Sequence, residues 1–418
     1  MIIVTAADDR FSLPLAVTLY SALANLVGVQ AVSIYIIDGG ISEENKRKLI
    51  EVLSVKHVDV HVTWIRPGSA PLNGVKTDET FSDATYLRLL IPELLPQVDR
   101  VIYLDSDLVV EKSLHALWEE KMDGLPALAV QDYMMPYVSC GGLEAIGLSK
   151  TYQMLGLPPH APYCYAGVMV MNLKRWREEK IGPRALEYCR KFQRFDQDGI
   201  NAIIAGEWGL LDPKWDVALS EIPKYGRRLR MSQVEMRHAQ EELWREPFIR
   251  HFSSPTKPWH FVYRGPARSR FFYYLRKSGW FGPIEDMRML IKKVWETQSE
   301  YEPWLKRLYV TSQELDALIP AGDSFILVDQ NQFWFELLAC RRSIPFLERD
   351  GQYWGSPPDD DTAIRELERQ RQSGATFIVF GWPAFWWLDY YHELNRHLRS
   401  SFRCVLDNER AVVFDLRP

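Results

Sequence analysis

Short apolar runs alternate with amphipathic stretches along the first part of the chain, and the spacing within each predicts its backbone. Ile2–Ala6 reads as a buried strand. Leu13–Leu26 repeats apolar residues at three- and four-residue intervals, the spacing of a helix with one core-facing side. Val32–Ile37 is a second strand, closed by the turn Asp38-Gly39-Gly40. Ser42 is placed to cap the next helix, with Glu43 and Glu44 in a first turn whose dipole favours acids. Val58–Ile65 predicts a third strand, Ala84–Leu90 a helix, and Val101–Val110 one long apolar strand. Ala127–Val130 and Gly167–Leu173 continue the strands, with helical text through Arg194 and from Asp198 to Ala205. Phe248–Phe252 is a last short strand. This alternation predicts an α/β fold: a mostly parallel, Rossmann-like sheet covered by helices on both faces. Ligands of such sheets bind beyond the carboxyl ends of the strands.

At 418 residues the chain is too long for one ordinary core. The pattern changes past Pro283, which divides the chain into a catalytic-sized domain over 1–283, a helical linker over 284–310 and a smaller α/β domain over 311–418. In the last, Ser324–Val328 and Thr376–Phe380 read as strands, Asp361–Gln372 and Pro383–Leu398 as helices, and Phe402–Leu406 with Ala411–Leu416 as a hairpin.

Hydrophobic residues make up 47% and charged residues 25%, and the net charge of −5 argues against a generic nucleic-acid binder, which carries a basic excess. The five cysteines (Cys140, Cys164, Cys189, Cys340, Cys404) are dispersed, without CxxC or close histidines, which fits reduced thiols rather than disulfides or zinc. The N-terminus lacks a basic, signal-like start and no run is long enough to span a bilayer. A cytoplasmic protein is expected.

Two acids sit inside the apolar run Val101–Val110: Asp105 and Asp107. Carboxylates in a sheet core are costly unless something neutralises them. On a continuous strand the two fall on one side, about 6–7 Å apart. Two hard oxygen donors so placed suit one divalent cation, and a metal-bound phosphate.

Further pieces then recur in a specific order: Ala6-Ala7-Asp8-Asp9, Thr85-Tyr86-Leu87-Arg88-Leu89, Tyr103-Leu104-Asp105-Ser106-Asp107, Ala166-Gly167-Val168, Asn172-Leu173-Lys174-Arg175-Trp176, Asp196-Gln197-Asp198, and His251-Phe252-Ser253-Ser254-Pro255-Thr256-Lys257-Pro258-Trp259. Over roughly residues 2–262 the chain resembles glycosyltransferase family 8, which includes glycogenin and bacterial lipopolysaccharide galactosyl- and glucosyltransferases. The resemblance implies a GT-A nucleotide-diphospho-sugar transferase fold. It also implies a retaining, Mn2+-dependent transfer of glucose or galactose from a UDP-sugar to a saccharide or lipid-linked glycan, with Mg2+ as the alternative cation. By position, Asp105, Asp107 and His251 correspond to the metal ligands, and Lys257, Ser254 and Ser106 to the surroundings of the diphosphate. Asp8, Ala6 and Phe11 correspond to the uracil pocket. Arg88, Asp132, Asp196 and Gln197 correspond to the donor-sugar side, with Gln197 facing the anomeric carbon. Plainer readings exist for some of these. Asp8 can be a turn aspartate, Arg88 a helix-surface ion pair, Asp196 a helix cap and His251 a strand-end residue bonded to backbone.

The chain departs from the family at several points, among them a histidine expected before the Thr85-Tyr86 helix, for which Thr80 is the nearest match. Tyr165 stands where an asparagine contacts the donor sugar, and Ser254 where a glycine approaches the phosphate. Two alternatives follow: a glycogenin-like self- or protein-glucosylating enzyme, and a non-catalytic UDP-sugar-binding scaffold. A nucleotidyltransferase would want a glycine-rich basic loop after the first strand, and Ala6-Ala7-Asp8-Asp9-Arg10 is not one. The basic Tyr225–Arg230 segment reads as a solvated loop, with a lid over the diphosphate as the sharper alternative. Arg264–Trp280 reads as a helix packing its aromatic side on the catalytic domain, with peripheral contact to the inner membrane face as the alternative. Acceptor, linkage and oligomeric state are not encoded in any motif.

Overall fold

In the computed structural model the described residues are 1–68, 72–77, 83–132, 136–138, 157–158, 160–218, 243, 246–253, 257–259, 267–282, 289, 293, 302–330, 333, 341–349 and 352–417. Ser254, the Tyr225–Arg230 segment and most of the 284–310 stretch therefore lie outside the described residues. The chain forms two compact units, Met1–Pro255 and Thr256–Pro418.

The first unit is built on a seven-stranded sheet. Its strands are β1 (Ile2–Ala7), β2 (Ala31–Asp38), β3 (Asp59–Ile65), β4 (Arg100–Leu104), β6 (Ala127–Gln131), β7 (Cys164–Asn172) and β8 (Gly209–Leu210), in the order β3-β2-β1-β4-β7-β6-β8. The β1–β2, β2–β3, β1–β4 and β6–β8 pairings are parallel, whereas β7 runs antiparallel to both β4 and β6. Central strands are apolar throughout, as strands buried on both faces must be: in β7 every residue from Cys164 to Met171 is buried. Helix α1 (Ser12–Ala24) follows β1, and α2 (Glu43–Leu53) starts at Ser42, whose hydroxyl accepts from Asn45 N.

The apolar run around the two acids is not one strand. β4 ends at Leu104, and β5 (Leu108–Val110) belongs to a separate three-stranded sheet with β9 (Val217–Ala218) and β10 (Ile249–His251), ordered β5-β10-β9. Two carboxylates could not be held within a central ladder, so the chain leaves the main sheet where they occur. Side chains of α1 close the edge of β5 that faces them. Thr18 Oγ1 accepts from Leu108 N at 2.9 Å and donates to Leu108 O at 3.0 Å, and Ser21 Oγ accepts from Val110 N at 2.9 Å. Those pairings satisfy buried backbone groups that lack a strand neighbour.

The second unit carries β11 (Ser324–Val328), β12 (Arg342–Pro345), a short hairpin β13 (Glu348–Arg349) and β14 (Gln352–Tyr353), β15 (Ala375–Gly381), β16 (Arg403–Asp407) and β17 (Ala411–Asp415). Its five-stranded sheet is ordered β12-β11-β15-β17-β16, parallel on the β12, β11, β15 side and antiparallel beyond. The expected hairpin is β16–β17. The helix expected over Pro383–Leu398 is broken instead into a turn, Trp382–Ala384, and two helices, Trp386–Tyr390 and His392–Ser401. Trp387 and Tyr391 pack in the core of this unit with Phe346 and Phe380. In the basic, aromatic segment the helix Arg268–Ser278 buries Phe271, Phe272, Tyr274 and Leu275. Among the described residues no helix is long and apolar enough to cross a membrane.

Candidate active site

The break between β4 and β5 puts Asp105, Ser106 and Asp107 at the carboxyl end of β4, next to that of the parallel strand β1. The two acids are thus turn residues rather than successive same-side positions of a strand. Register supplies the third member. β10 runs antiparallel to β5 with His251 opposite Leu108, and Phe252 N donates to Asp107 O at 3.1 Å. His251 Nε2 lies 3.3 Å from Asp107 Oδ1 and 3.8 Å from Asp105 Oδ2. One ligand atom from each of the three residues falls within 4.8 Å of the others. Neighbouring donors around a six-coordinate cation with bonds of about 2.1 Å are about 3 Å apart, so the set fits a small divalent ion. Two carboxylate oxygens and one imidazole match the softness of a borderline transition metal better than calcium.

Asp105 and His251 are each held from behind. Asp105 Oδ1 accepts from Tyr103 OH at 2.7 Å and lies 2.8 Å from Arg88 Nη2, which leaves Oδ2 facing the histidine. Asp105 N donates to Gly167 O at 2.9 Å. His251 Nδ1 is 2.8 Å from Asp216 Oδ1, and Asp216 is wholly buried just before β9. Gly167 makes room for that pair: a Cβ there would stand 2.3 Å from His251 Cε1 and 2.9 Å from Asp216 Oδ2. Burial pushes the Asp105 carboxyl up to about 6, against the opposing pull of Arg88 and His251. Burial works against a charged His251 ring, yet Asp216 and Asp107 hold its pKa well above the ordinary histidine value.

Arg88 is not a surface ion pair. It is buried, its guanidinium lies over the Tyr103 ring with Cζ 4.7 Å from the centroid, and Nη1 donates to Ala166 O at 2.5 Å. Its Nε is 2.6 Å from Asp196 Oδ2, although the N–H does not point along that line, so this is an ion pair rather than a hydrogen bond. Burial opposes the charge and Asp105 and Asp196 more than restore it, which keeps Arg88 cationic. One cationic side chain thus joins the turn Asp105–Asp107 to the helix α3 (Asp196–Ile204). Asp196 is not that helix's cap: Phe195 holds the cap position and Asp196 begins the first turn. Gln197 Oε1 accepts from Ala166 N at 3.1 Å and its Nε2 donates to Asp132 Oδ2 at 2.8 Å. Asp132 is buried at the end of β6. Arg88, Asp105, Asp132, Asp196 and Gln197 therefore form one connected polar layer.

The other expected residues are placed as follows. Ala6 is buried near the end of β1. Asp8 caps the short turn Asp9–Phe11, accepting from Arg10 N at 3.1 Å, so its turn role is real whatever else it does. Phe11 leads into α1. Ser106 is buried between the two acids. Lys257 is buried and belongs by chain position to the second unit. Tyr165 packs on His251 with ring centroids 5.3 Å apart.

Sequence reasoning missed Asp216 and the pair Tyr163–Asp198, whose hydroxyl donates to Oδ1 at 2.5 Å. The signal for Asp216 was available: an acid flanked by Trp215 and Val217 poses the same burial problem as Asp105.

The family described as glycosyl transferase family 8 matches residues 2–262. The chain belongs to glycosyltransferase family 8. It is similar to General stress protein A of Bacillus subtilis (strain 168), at 25% identity over 288 residues, covering 67% of this chain and 94% of that protein. It is also similar to the lipopolysaccharide 1,2-glucosyltransferase of Escherichia coli (strain K12), at 23% identity over 226 residues, covering 53% of this chain and 62% of the relative. Among solved structures, the galactosyltransferase LgtC in complex with donor and acceptor sugar analogs aligns with a TM-score of 0.52 and 24% identity, covering 66% of this chain and 95% of LgtC. The family 8 chain thus has the GT-A type of fold, with its mostly parallel central sheet.

Proposed function

We propose that this family 8 chain transfers a hexose, glucose or galactose, from a UDP-sugar to a saccharide or lipid-linked glycan with retention of anomeric configuration. The observation that carries this reading is the meeting of Asp105, Asp107 and His251 donor atoms within 4.8 Å at the carboxyl ends of β1 and β4. Those three residues would hold Mn2+ or Mg2+. Such an ion, when bound, offsets negative charge on the diphosphate leaving group.

The chain's own residues complete the assignment. Ala6, near the end of β1, and Asp8 and Phe11, in the turn between β1 and α1, line the uracil side. The family resemblance assigns Ser106, Ser254 and Lys257 to the diphosphate, where a lysine ammonium would oppose charge that grows as the bond to the sugar breaks. Gln197 and Asp132 present amide and carboxylate to sugar hydroxyls. The Gln197 amide is a poor nucleophile, so the acceptor attacks from the face the UDP leaves and passes its proton to the departing phosphate oxygen. Arg88 and Asp196 fix the geometry of both halves.

The test is a donor screen that measures UDP release by the full chain with and without Mn2+, followed by 1H NMR of the product's anomeric proton. Release that requires the cation and gives the donor's anomeric configuration is expected. Release unaffected by chelation, or a product of inverted configuration, overturns the reading.

A further inference from the structure

We infer that Asp216 is a positioning residue for the candidate cation site: it accepts the Nδ1–H of His251 and so holds the Nε2 lone pair toward Asp105 and Asp107. The inference rests on the metal reading proposed above and adds to it a residue that touches neither sugar nucleotide nor cation.

Four observations support it. His251 Nδ1 and Asp216 Oδ1 are 2.8 Å apart, whereas Nε2 is turned to Asp107 Oδ1 at 3.3 Å, so the two ring nitrogens have different partners. Neither side chain reaches solvent in any quantity: Asp216 is 0% and His251 3% exposed. The fold therefore had to select this pairing, since water cannot substitute for either partner. Backbone register fixes the approach, because β9 runs parallel to β10 with His251 opposite Ala218, which brings Asp216 to the flank of the ring. Finally, the slot has no slack. Gly167, on the neighbouring strand β7, leaves only enough space for the imidazole and the carboxylate, and Asp216 Oδ2 has no hydrogen bond in line beyond the nearby Val168 amide.

An imidazole that ligates a cation needs a free lone pair on the ligating nitrogen, so its proton must reside on the other one. A carboxylate at Nδ1 enforces that tautomer, stops rotation of the ring and increases electron density at Nε2. Partners of this kind are worth about 10–100-fold in metal affinity. A merely structural role for Asp216 predicts otherwise. Its removal would then lower stability while leaving the cation affinity of the folded protein unchanged.

The experiment measures Mn2+ binding to the full chain by the EPR signal of free Mn2+, with no sugar nucleotide present, for the wild type, Asp107→Ala, Asp216→Asn and Asp216→Ala. Nitrogen-15 NMR of histidine-labelled protein with diamagnetic Mg2+ reads the tautomer directly. Affinity 10–100-fold weaker in Asp216→Asn, more so in Asp216→Ala, and a wild-type His251 resonance pattern with the proton on Nδ1 support the inference. Should Asp216→Ala fail to fold, the wild-type NMR pattern and Asp216→Asn still decide. Wild-type affinity in a folded Asp216→Asn together with a proton on Nε2 overturns the positioning role. No Mn2+ binding by the wild type, or equal binding by Asp107→Ala, instead overturns the metal reading beneath it.

Discussion

The substitution Gly167→Ala should disable the candidate site through one methyl group. Gly167 does not have a positive φ, so alanine meets no backbone penalty there and the effect is purely one of space. The added Cβ would lie 2.3 Å from His251 Cε1, 2.6 Å from its Nδ1 and 2.9 Å from Asp216 Oδ2. Carbon atoms rest at about 3.5–4.0 Å, so the ring would have to retreat by more than an ångström. It cannot do so and keep the 2.8 Å bond to Asp216 or its place beside Asp107. Overpacking of this kind costs about 1–3 kcal/mol. Loss of the charge-assisted bond adds a term of about 1.5–3 kcal/mol, partly shared with the first. The assay is urea denaturation by far-UV circular dichroism alongside Mn2+ titration. A matched control is Gly68→Ala, where the new methyl would meet nothing within 4 Å. There the restricted unfolded chain should give a neutral or slightly positive change, at most about 1 kcal/mol. Gly167→Ala with control-like stability and undiminished Mn2+ affinity would show that His251 is not wedged in place, and the reasoning would fail.

Two further predictions concern buried charges of the first unit. Burial pushes the Asp198 carboxyl up to about 6, only partly offset by the Tyr163 hydroxyl. A raised acid stabilises the fold fully below its unfolded value near 3.8 and loses that contribution as pH rises through about 6. Asp198→Asn should therefore gain stability over the wild type by up to about 3 kcal/mol at pH 7 and nearly nothing at pH 3.5; a pH-independent gap in paired denaturation curves would refute the assignment. Arg88→Met keeps most of the buried stem but strands two carboxylates, Asp105 and Asp196, for a loss of about 3–5 kcal/mol in the same denaturation assay. A loss below about 1 kcal/mol, the range of exposed pairs, would mean that Arg88 is solvated in solution.

What the sequence disclosed and what it withheld follow from the range of the forces involved. β1 and β2 were legible from their near-continuous apolar runs, β3 from the alternating text of a half-exposed edge strand, and the Ser42 cap because its partner, Asn45 N, is three residues away. The length of the Val101–Val110 strand was misread because apolar periodicity cannot say which sheet a residue joins. That depends on β10 arriving from far downstream to pair with β5, and on Thr18 and Ser21 closing its other edge. The Pro383–Leu398 text kept helical spacing although the chain breaks it into three pieces, since the apolar positions serve the core equally well in either form. Arg88 illustrates the same limit: its position was identified, but nothing local reveals that it bridges Asp105 and Asp196.

The break between β4 and β5 is also what makes the candidate site affordable. A strand passing through it would bury both carboxylates between ladders that offer them no donors. By changing sheets there, the chain frees its backbone to present Asp105 and Asp107 at an edge where three kinds of support converge: Arg88 and Tyr103 on one oxygen, His251 on the other side, and Asp216 behind the histidine. Each support comes from a different element, so no single local motif specifies the geometry. The site is a property of strand register, in which β10 against β5 sets the histidine and β7 beside β4 sets the glycine slot. A one-residue slip in β10 would turn His251 to the opposite face and leave the acids without their third partner.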